Sequence, residues 1–275
     1  MSGTAVFISP HLDDVVFSCG GTVAKLASRG WRCVLVTCFT RSVADPSGFA
    51  LACQTDKGVP SGVDYMELRR SEDVESARIS GVSRVVHLDH AEAPHRGYES
   101  AKSLFGGVYL GDAVFEEVAV DLGFIISSEA PDLLFAPQGL GNHVDHLQVV
   151  QAVREVTEKD REGRPNPRIS RNPHVFFYRD TPYAIRAGQT HPEPRLPSGL
   201  REIPVGLIPD NLETKLRATE AYGSQIGFQF DGPEKARASL TYFAASEAGR
   251  IGAESRYAEA FLSTDEGADH IAEVI

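Results

Sequence analysis

Five apolar runs of strand length recur along the chain, at Ala5–Ile8, Arg32–Phe39, Arg84–Leu88, Leu133–Ala136 and Val175–Tyr178, with segments of helical period between most of them. No other feature restricts the fold as much. The stretch from Trp31 to Phe39, Trp-Arg-Cys-Val-Leu-Val-Thr-Cys-Phe, is β-branched and apolar almost throughout, as a parallel strand covered on both faces should be. The helical segments are Val15–Arg29, stopped by Gly30, Met66–Ile79, closed by Gly81, Gly111–Glu129 and His143–Asp160. The last places Val144, Leu147, Val149, Val150, Val153 and Val156 on one stripe. This order predicts an α/β, Rossmann-like, doubly wound and mostly parallel sheet with helices on both faces, in which ligands lie beyond the carboxyl ends of the strands.

The remaining segments are less regular. Residues 41–62 carry Pro, Gly, Ser and Asp without period and predict a long loop of the functional or mobile kind. Residues 160–173 predict a solvated connection. A Pro-rich segment, 179–210, predicts a hairpin or irregular cover to the pocket, and helices within 211–248 close the chain. The whole, 1–275, is expected to form a single domain.

A formal net charge of −11 argues against a nucleic-acid partner, because phosphate binding needs clustered Lys and Arg. The four cysteines, Cys19, Cys33, Cys38 and Cys53, form no Cys-x-x-Cys pair, so reduced, mostly buried thiols are expected. No Lys or Arg precedes the first short apolar stretch, and no apolar run approaches the ~20 residues of a membrane span. A cytoplasmic protein without a membrane span is therefore predicted.

Two clusters carry chemistry. Ser9-Pro10-His11-Leu12-Asp13-Asp14 follows the first strand, and Gly141-Asn142-His143-Val144-Asp145-His146 follows the strand at 133–136. One Asp would suffice as an N-cap for the helix behind the first loop. A second carboxylate and a His beside it repel or strain unless a cation resolves the conflict. His143 and His146, three apart at a helix start, share a face, although a surface or capping role is the alternative for either alone. A catalytic zinc site takes three N or O ligands and keeps one position open, and His11, Asp14 and His146 could supply them, leaving Asp13 free.

Together these motifs resemble the paired signatures of the LmbE-like, or PIG-L, zinc-dependent N-deacetylases. The resemblance extends to Gly20-Gly21-Thr22, to Arg69 and Glu72, to Leu88-Asp89, to the turn Glu92–Arg96 and to Ala221-Tyr222-Gly223-Ser224-Gln225, and so covers most of residues 5–230. It implies Zn2+, or another divalent ion, held by His11, Asp14 and His146, with Asp13 as the general base for the attacking water. It further implies that His143 stabilises the oxyanion or protonates the leaving amine and that Asp145 orients a histidine. Arg69 and Arg96 are candidate substrate contacts, with an ordinary salt bridge as the alternative for each. His87, Asp89, His90 and His95 are expected to line the pocket. The family more often has Pro at Leu12 and an acidic residue at Val15. Neither position is a ligand or the base, so the metal site is expected to be intact and a supporting contact or cap to be lost.

The implied reaction is hydrolysis of an N-acetyl group from an N-acetylglucosamine-type amino sugar or related small molecule, in natural-product or thiol-cofactor metabolism. The expected partner is that small molecule, and self-association is compatible with the sequence. An amidase acting on a thiol conjugate would use the same residues. A nucleotide-binding Rossmann oxidoreductase would need Gly-x-Gly-x-x-Gly after the first strand, which the chain lacks.

Overall fold

A computed structural model describes residues 3–158, 166, 169, 171–187 and 196–275. In chain order the elements are β1 (Thr4–Ser9), α1 (Asp14–Ser28), β2 (Arg32–Thr37), α2 (Gly48–Thr55), α3 (Tyr65–Ser80), β3 (Arg84–His87), α4 (Ala101–Leu104), α5 (Val114–Glu129), β4 (Leu133–Pro137) and α6 (Val144–Thr157). There follow β5 (His174–Tyr178), α7 (Tyr183–Ala187), β6 (Arg201–Leu207), α8 (Pro209–Glu220), α9 (Gly223–Phe230), α10 (Pro233–Arg250), β7 (Tyr257–Ser263) and α11 (Asp265–Val274).

The strands form one seven-stranded sheet in the order β3-β2-β1-β4-β5-β7-β6. From β3 to β5 every pairing is parallel, while β7 runs antiparallel to both β5 and β6. The sheet is thus mixed but mostly parallel, as expected. Strand alternation divides the core into two layers. Ala5 and Phe7, Cys33 and Leu35, Leu133 and Phe135, and Phe176 and Tyr178 face α1, α3 and α11 through Val15, Cys19, Val23, Leu26, Ala77 and Ile271. Val6 and Ile8, Val34 and Val36, Leu134 and Ala136, and Phe177 face α5 and α6 through Val118, Leu122, Ile126, Val149 and Val153. A further cluster joins Val16 and Phe17 of α1 to α8, α9 and α10.

The order in which successive strands are laid down reverses between the parallel neighbours β1 and β4, with β2 and β3 added beyond β1 and β5 beyond β4. At such a switch point the loops leaving adjacent strands diverge and open a crevice. Both clusters of ionisable residues leave the sheet there.

Three expectations need correction. Residues 41–62 are not all loop, since α2 forms there without helical periodicity. It is held from outside, where Gln54 Nε2 donates to the carbonyls of Pro60 (2.6 Å) and Val63 (3.0 Å). The helices within 211–248 do not close the chain, because the strand β7 and a further helix, α11, follow α10; the alternation of Ala and Glu in Tyr257–Ser263 hides a buried strand. The Pro-rich segment does contribute Pro182, Tyr183 and Arg186 to the cavity, but its end, Arg201–Leu207, is the edge strand of the sheet. Residues 188–195 of that segment, and most of the expected 160–173 connection, lie outside the described residues.

Candidate active site

The turn after β1 brings His11, Asp13 and Asp14 to the start of α1. Asp13 occupies the N-cap position without making a side-chain cap bond, so the capping role open to it in the sequence is not used. Asp14 turns back instead, and its Oδ2 accepts the His11 backbone N–H at 2.7 Å. The loop after β4 bends through left-handed backbone at Gly139, Gly141 and Asn142 before α6 starts. Gly141 is required sterically as well, since a Cβ there would lie 2.7 Å from the Tyr183 ring.

The two loops converge. Asp14 Oδ2 stands 3.2 Å from His11 Nδ1 and 3.3 Å from His146 Nε2. His146 Nε2 is buried and has no hydrogen bond of good geometry, an orphaned nitrogen in a polar site. Three donors around one ion at Zn–N bonds of ~2.0–2.1 Å would lie about 3.3–3.4 Å apart, close to these separations. The opposite nitrogen of each imidazole is tied to a carboxylate, His11 Nε2 to Asp145 Oδ2 at 2.9 Å and His146 Nδ1 to Asp180 Oδ1 at 2.6 Å. Carboxylates only accept, so these bonds keep a hydrogen on His11 Nε2 and His146 Nδ1, and it is His11 Nδ1 and His146 Nε2 that would give up their protons and turn lone pairs to an ion at the shared point. The residues present therefore fit a divalent cation.

His143 forms a second possible triad, for its ligand atom and those of His11 and His146 lie within 4.8 Å of one another. Its Nδ1 accepts the Asp145 backbone N–H at 3.3 Å, which caps α6. That bond places its hydrogen on Nε2.

Electrostatics separate the neighbouring groups. Burial pushes the Asp13 carboxyl up, the Asp14 charge adds to this, and Arg69 opposes it, leaving Asp13 at about 7. Burial also works against Asp14, but His146 and His11 outweigh it and hold Asp14 well below the carboxylate range. Burial would lower His146; Asp14 and Asp180 override it and hold it up at about 9. His11 is raised for the same reason, its burial outweighed by Asp14 and Asp145. His143 lacks such a partner, and burial together with the His11 charge pushes it down to about 3.

With His146 buried behind them, His11, Asp13, Asp14, His143 and Asp145 line the floor of a cavity of about 270 Å³. Its walls are largely apolar: Phe17 of α1, Phe49 of α2, Leu104 and Phe105 at α4, Tyr183 of α7 and Phe228 of α9. Arg69, from α3, lines it with its Nη2 3.8 Å from Asp13 Oδ2 while also pairing with Glu92. Arg96 is placed differently. Its guanidinium is taken up by Asp145 Oδ1 (2.8 Å), Asp112 and the Ala91 carbonyl, and it is not among the cavity-lining residues. The salt-bridge alternative describes it, and its effect is to hold Asp145 against His11.

The pocket-lining expectation for the late histidines fails. His87 pairs with Asp73 (2.8 Å), His90 with Asp121 (2.9 Å) and Asp89 with Arg41, while His95 borders a smaller adjoining pocket. Leu12 and Val15 are buried, Val15 within the core below α1 and away from the cavity lining. Asp180 escaped the sequence reading of the site, since it is a single carboxylate in a stretch without a metal-type partner, and Glu92 entered that reading only as part of the turn Glu92–Arg96, with no role of its own.

Comparison with known proteins gives the family. The GlcNAc-PI de-N-acetylase (PIG-L) model matches residues 6–157, which include both loops. The 2'-N-acetylparomamine deacetylase of Streptomyces fradiae is 31% identical over 225 residues, 81% of this chain and 74% of that protein. A deacetylase of the teicoplanin biosynthesis pathway, solved as a complex with bog, is 25% identical with a TM-score of 0.77, covering 95% of this chain and 99% of that one. The zinc-inhibited form of teicoplanin deacetylase Orf2, 24% identical, superposes with a TM-score of 0.75 over 95% of this chain and 99% of its own, a likeness of fold. With the family model spanning more than half of its length and a deacetylase relative spanning most of it, the chain belongs to the GlcNAc-PI de-N-acetylase family and is a deacetylase, a hydrolase of a C–N bond.

Proposed function

We propose that the chain is a metal-dependent deacetylase that removes the acetyl group from an N-acetylated amino sugar on a natural-product intermediate. The observation that carries this is the convergence of His11 Nδ1, Asp14 Oδ2 and His146 Nε2, with Asp13 beside them at the floor of the cavity. The relative that acts on 2'-N-acetylparomamine supports the amino-sugar class.

In this reading His11, Asp14 and His146 hold Zn2+ or a similar divalent ion. We place His143 outside the ligand set because its Nδ1 accepts the helix-cap N–H, which leaves the hydrogen on Nε2 and no lone pair there for an ion. When bound, the ion supplies Lewis acidity for the amide carbonyl and for the attacking water. Asp13 accepts the proton of that water at its carboxylate, and Arg69 steadies the carboxylate from 3.8 Å. His143 is neutral and donates from Nε2–H to the oxygen on which charge develops. The proton held by Asp13 then passes to the departing amine, so a weakly acidic imidazole is not asked to supply it. Apolar walls at Phe17, Phe49 and Tyr183 limit competing water.

The whole of 1–275 is read as one deacetylase domain, because β6 and β7 extend the same sheet that carries the site. No helix among the described residues is long and apolar enough to cross a membrane.

The deciding experiment strips the purified protein of metal, restores Zn2+, and measures primary-amine and acetate release from a panel. That panel holds 2'-N-acetylparomamine, simple N-acetylglucosamine glycosides and an N-acylated thiol conjugate. Metal-dependent release from the sugars is expected. Turnover of the thiol conjugate alone would move the substrate to the competing class, and equal turnover with and without metal would sink the mechanism.

A further inference from the structure

We propose that Asp180 is a positioning residue that sets the tautomer of His146 and, through its second oxygen, the path of the loop bearing His143; the inference rests on the metal-dependent reading above. Asp180 follows β5 and is fully buried, on a segment whose Thr181 N–H is anchored by Ser18 Oγ at 2.9 Å. Its two oxygens do different work. Oδ1 faces His146 Nδ1 at 2.6 Å. Oδ2 accepts three successive backbone N–H groups, from Gln138 (3.0 Å), Gly139 (2.9 Å) and Leu140 (3.1 Å).

Because a carboxylate has no hydrogen to give, His146 Nδ1 must be the donor in that pair, and Nε2 is then free to bind an ion. Three N–H groups converging on Oδ2 fix the chain immediately before the left-handed turn at Gly141 and Asn142 that delivers His143. One side chain thus couples a proposed ligand on α6 to the proposed oxyanion donor at its N-cap. The strand ends of β1, β4 and β5 all contribute to the site, although only the first two carry recognisable motifs.

An amide cannot satisfy both sides. In Asp180→Asn the oxygen can keep the three backbone donors only if the NH2 turns toward His146, and Nδ1 must then accept. The imidazole hydrogen moves to Nε2 and closes the lone pair that would meet the ion.

The test compares metal-stripped wild type with Asp180→Asn in a Zn2+ titration against a chelating dye. It adds hydrogen-exchange protection of amides 138–140 and the 15N imidazole spectrum of the zinc-loaded wild type. The expected result is a ~10–100-fold weaker Zn2+ affinity in the variant, the range for lost outer partners of a ligand, with the three amides still protected. The wild-type spectrum should show the His146 hydrogen on Nδ1. Zn2+ affinity within twofold of wild type would overturn the inference, as would a His146 hydrogen on Nε2 in the wild type. Should the variant lose amide protection altogether, the wild-type spectrum alone decides. A wild type that binds no Zn2+ and releases no amine would instead bring down the metal-dependent reading, whereas tight wild-type binding matched by Asp180→Asn removes only the role of Asp180.

Discussion

Replacing Asp13 with Asn should make the enzyme far slower and, without metal, more stable. The carboxyl is buried next to Asp14, and its affinity for a proton rises from an ordinary 3.8 to about 7. Between those values the folded chain binds the proton and the unfolded chain does not, so stability falls as pH rises through that window. At 1.36 kcal/mol per unit, the full cost above pH 7 is on the order of 4 kcal/mol, an upper figure for a site with strongly interacting neighbours. An amide cannot ionise and escapes it. Arg69 keeps Glu92 as its partner in the variant, so no buried charge is stranded. Urea denaturation in chelator at several pH values should therefore show Asp13→Asn gaining little at pH 4, about 1.6 kcal/mol at pH 5 and about 4 kcal/mol at pH 8. With Zn2+ restored, amine release should drop by roughly 10²–10⁴, the contribution of a positioned base, at near-normal metal content. A variant less stable than wild type at pH 8, a stability difference independent of pH, or zinc loss equal to that of Asp14→Asn would each refute the assignment.

Other consequences can be measured directly. His143→Gln should keep its zinc and lose about one to three powers of ten in kcat, as for an oxyanion donor; loss of zinc would make His143 a ligand of the alternative triad. Zn2+ binding should release protons and tighten as pH rises from 6 toward 9, because His11 and His146 hold protons in the metal-free site; calorimetry in buffers of different ionisation enthalpy reads the number released. Glu259→Ala should destabilise the fold by ~3–5 kcal/mol in denaturant titration. It strands buried Lys215 (2.7 Å away) and the Gly21 and Thr22 N–H groups that Glu259 accepts within α1. Losing Lys215 together with Glu259, as in K215M with E259A, should recover much of the loss.

The parallel half of the sheet was legible because it is buried on both faces: Arg32–Thr37 has no solvent side on which polar residues could interrupt the run. The antiparallel edge was not. In β7 the side chain of Glu259 is buried, yet it faces Lys215 and a helix break at Cys19, so a charged residue stands where a strand pattern demands an apolar one. The helix α2 was hidden because it has little period of its own and is tied by Gln54 to the carbonyls of Pro60 and Val63 in the turn that follows it.

At the site, legibility followed chain distance. His11, Asp13 and Asp14 are neighbours, as are His143, Asp145 and His146, and such clusters announce shared chemistry even to a reader without coordinates. Their supports come from single residues far away: Asp180 lies 34 positions beyond His146, and Arg96 reaches Asp145 from the turn after β3. Nothing local distinguishes Asp180 from an ordinary surface charge, and the Glu92–Arg96 turn marked Arg96 without showing that Asp145 is its partner. The same limit explains why capping and catalysis seemed to compete for His143. An imidazole has two nitrogens, and here Nδ1 closes the first turn of α6 while Nε2 is left to face the cavity, so the structural use of the residue is what fixes the hydrogen on the atom proposed to act. By contrast Asp13, placed where a cap is expected, makes none. A carboxylate that declines the cheapest local hydrogen bond and stays buried at about 7 beside Arg69 gains nothing for the fold, which is the physical ground for assigning it to the reaction.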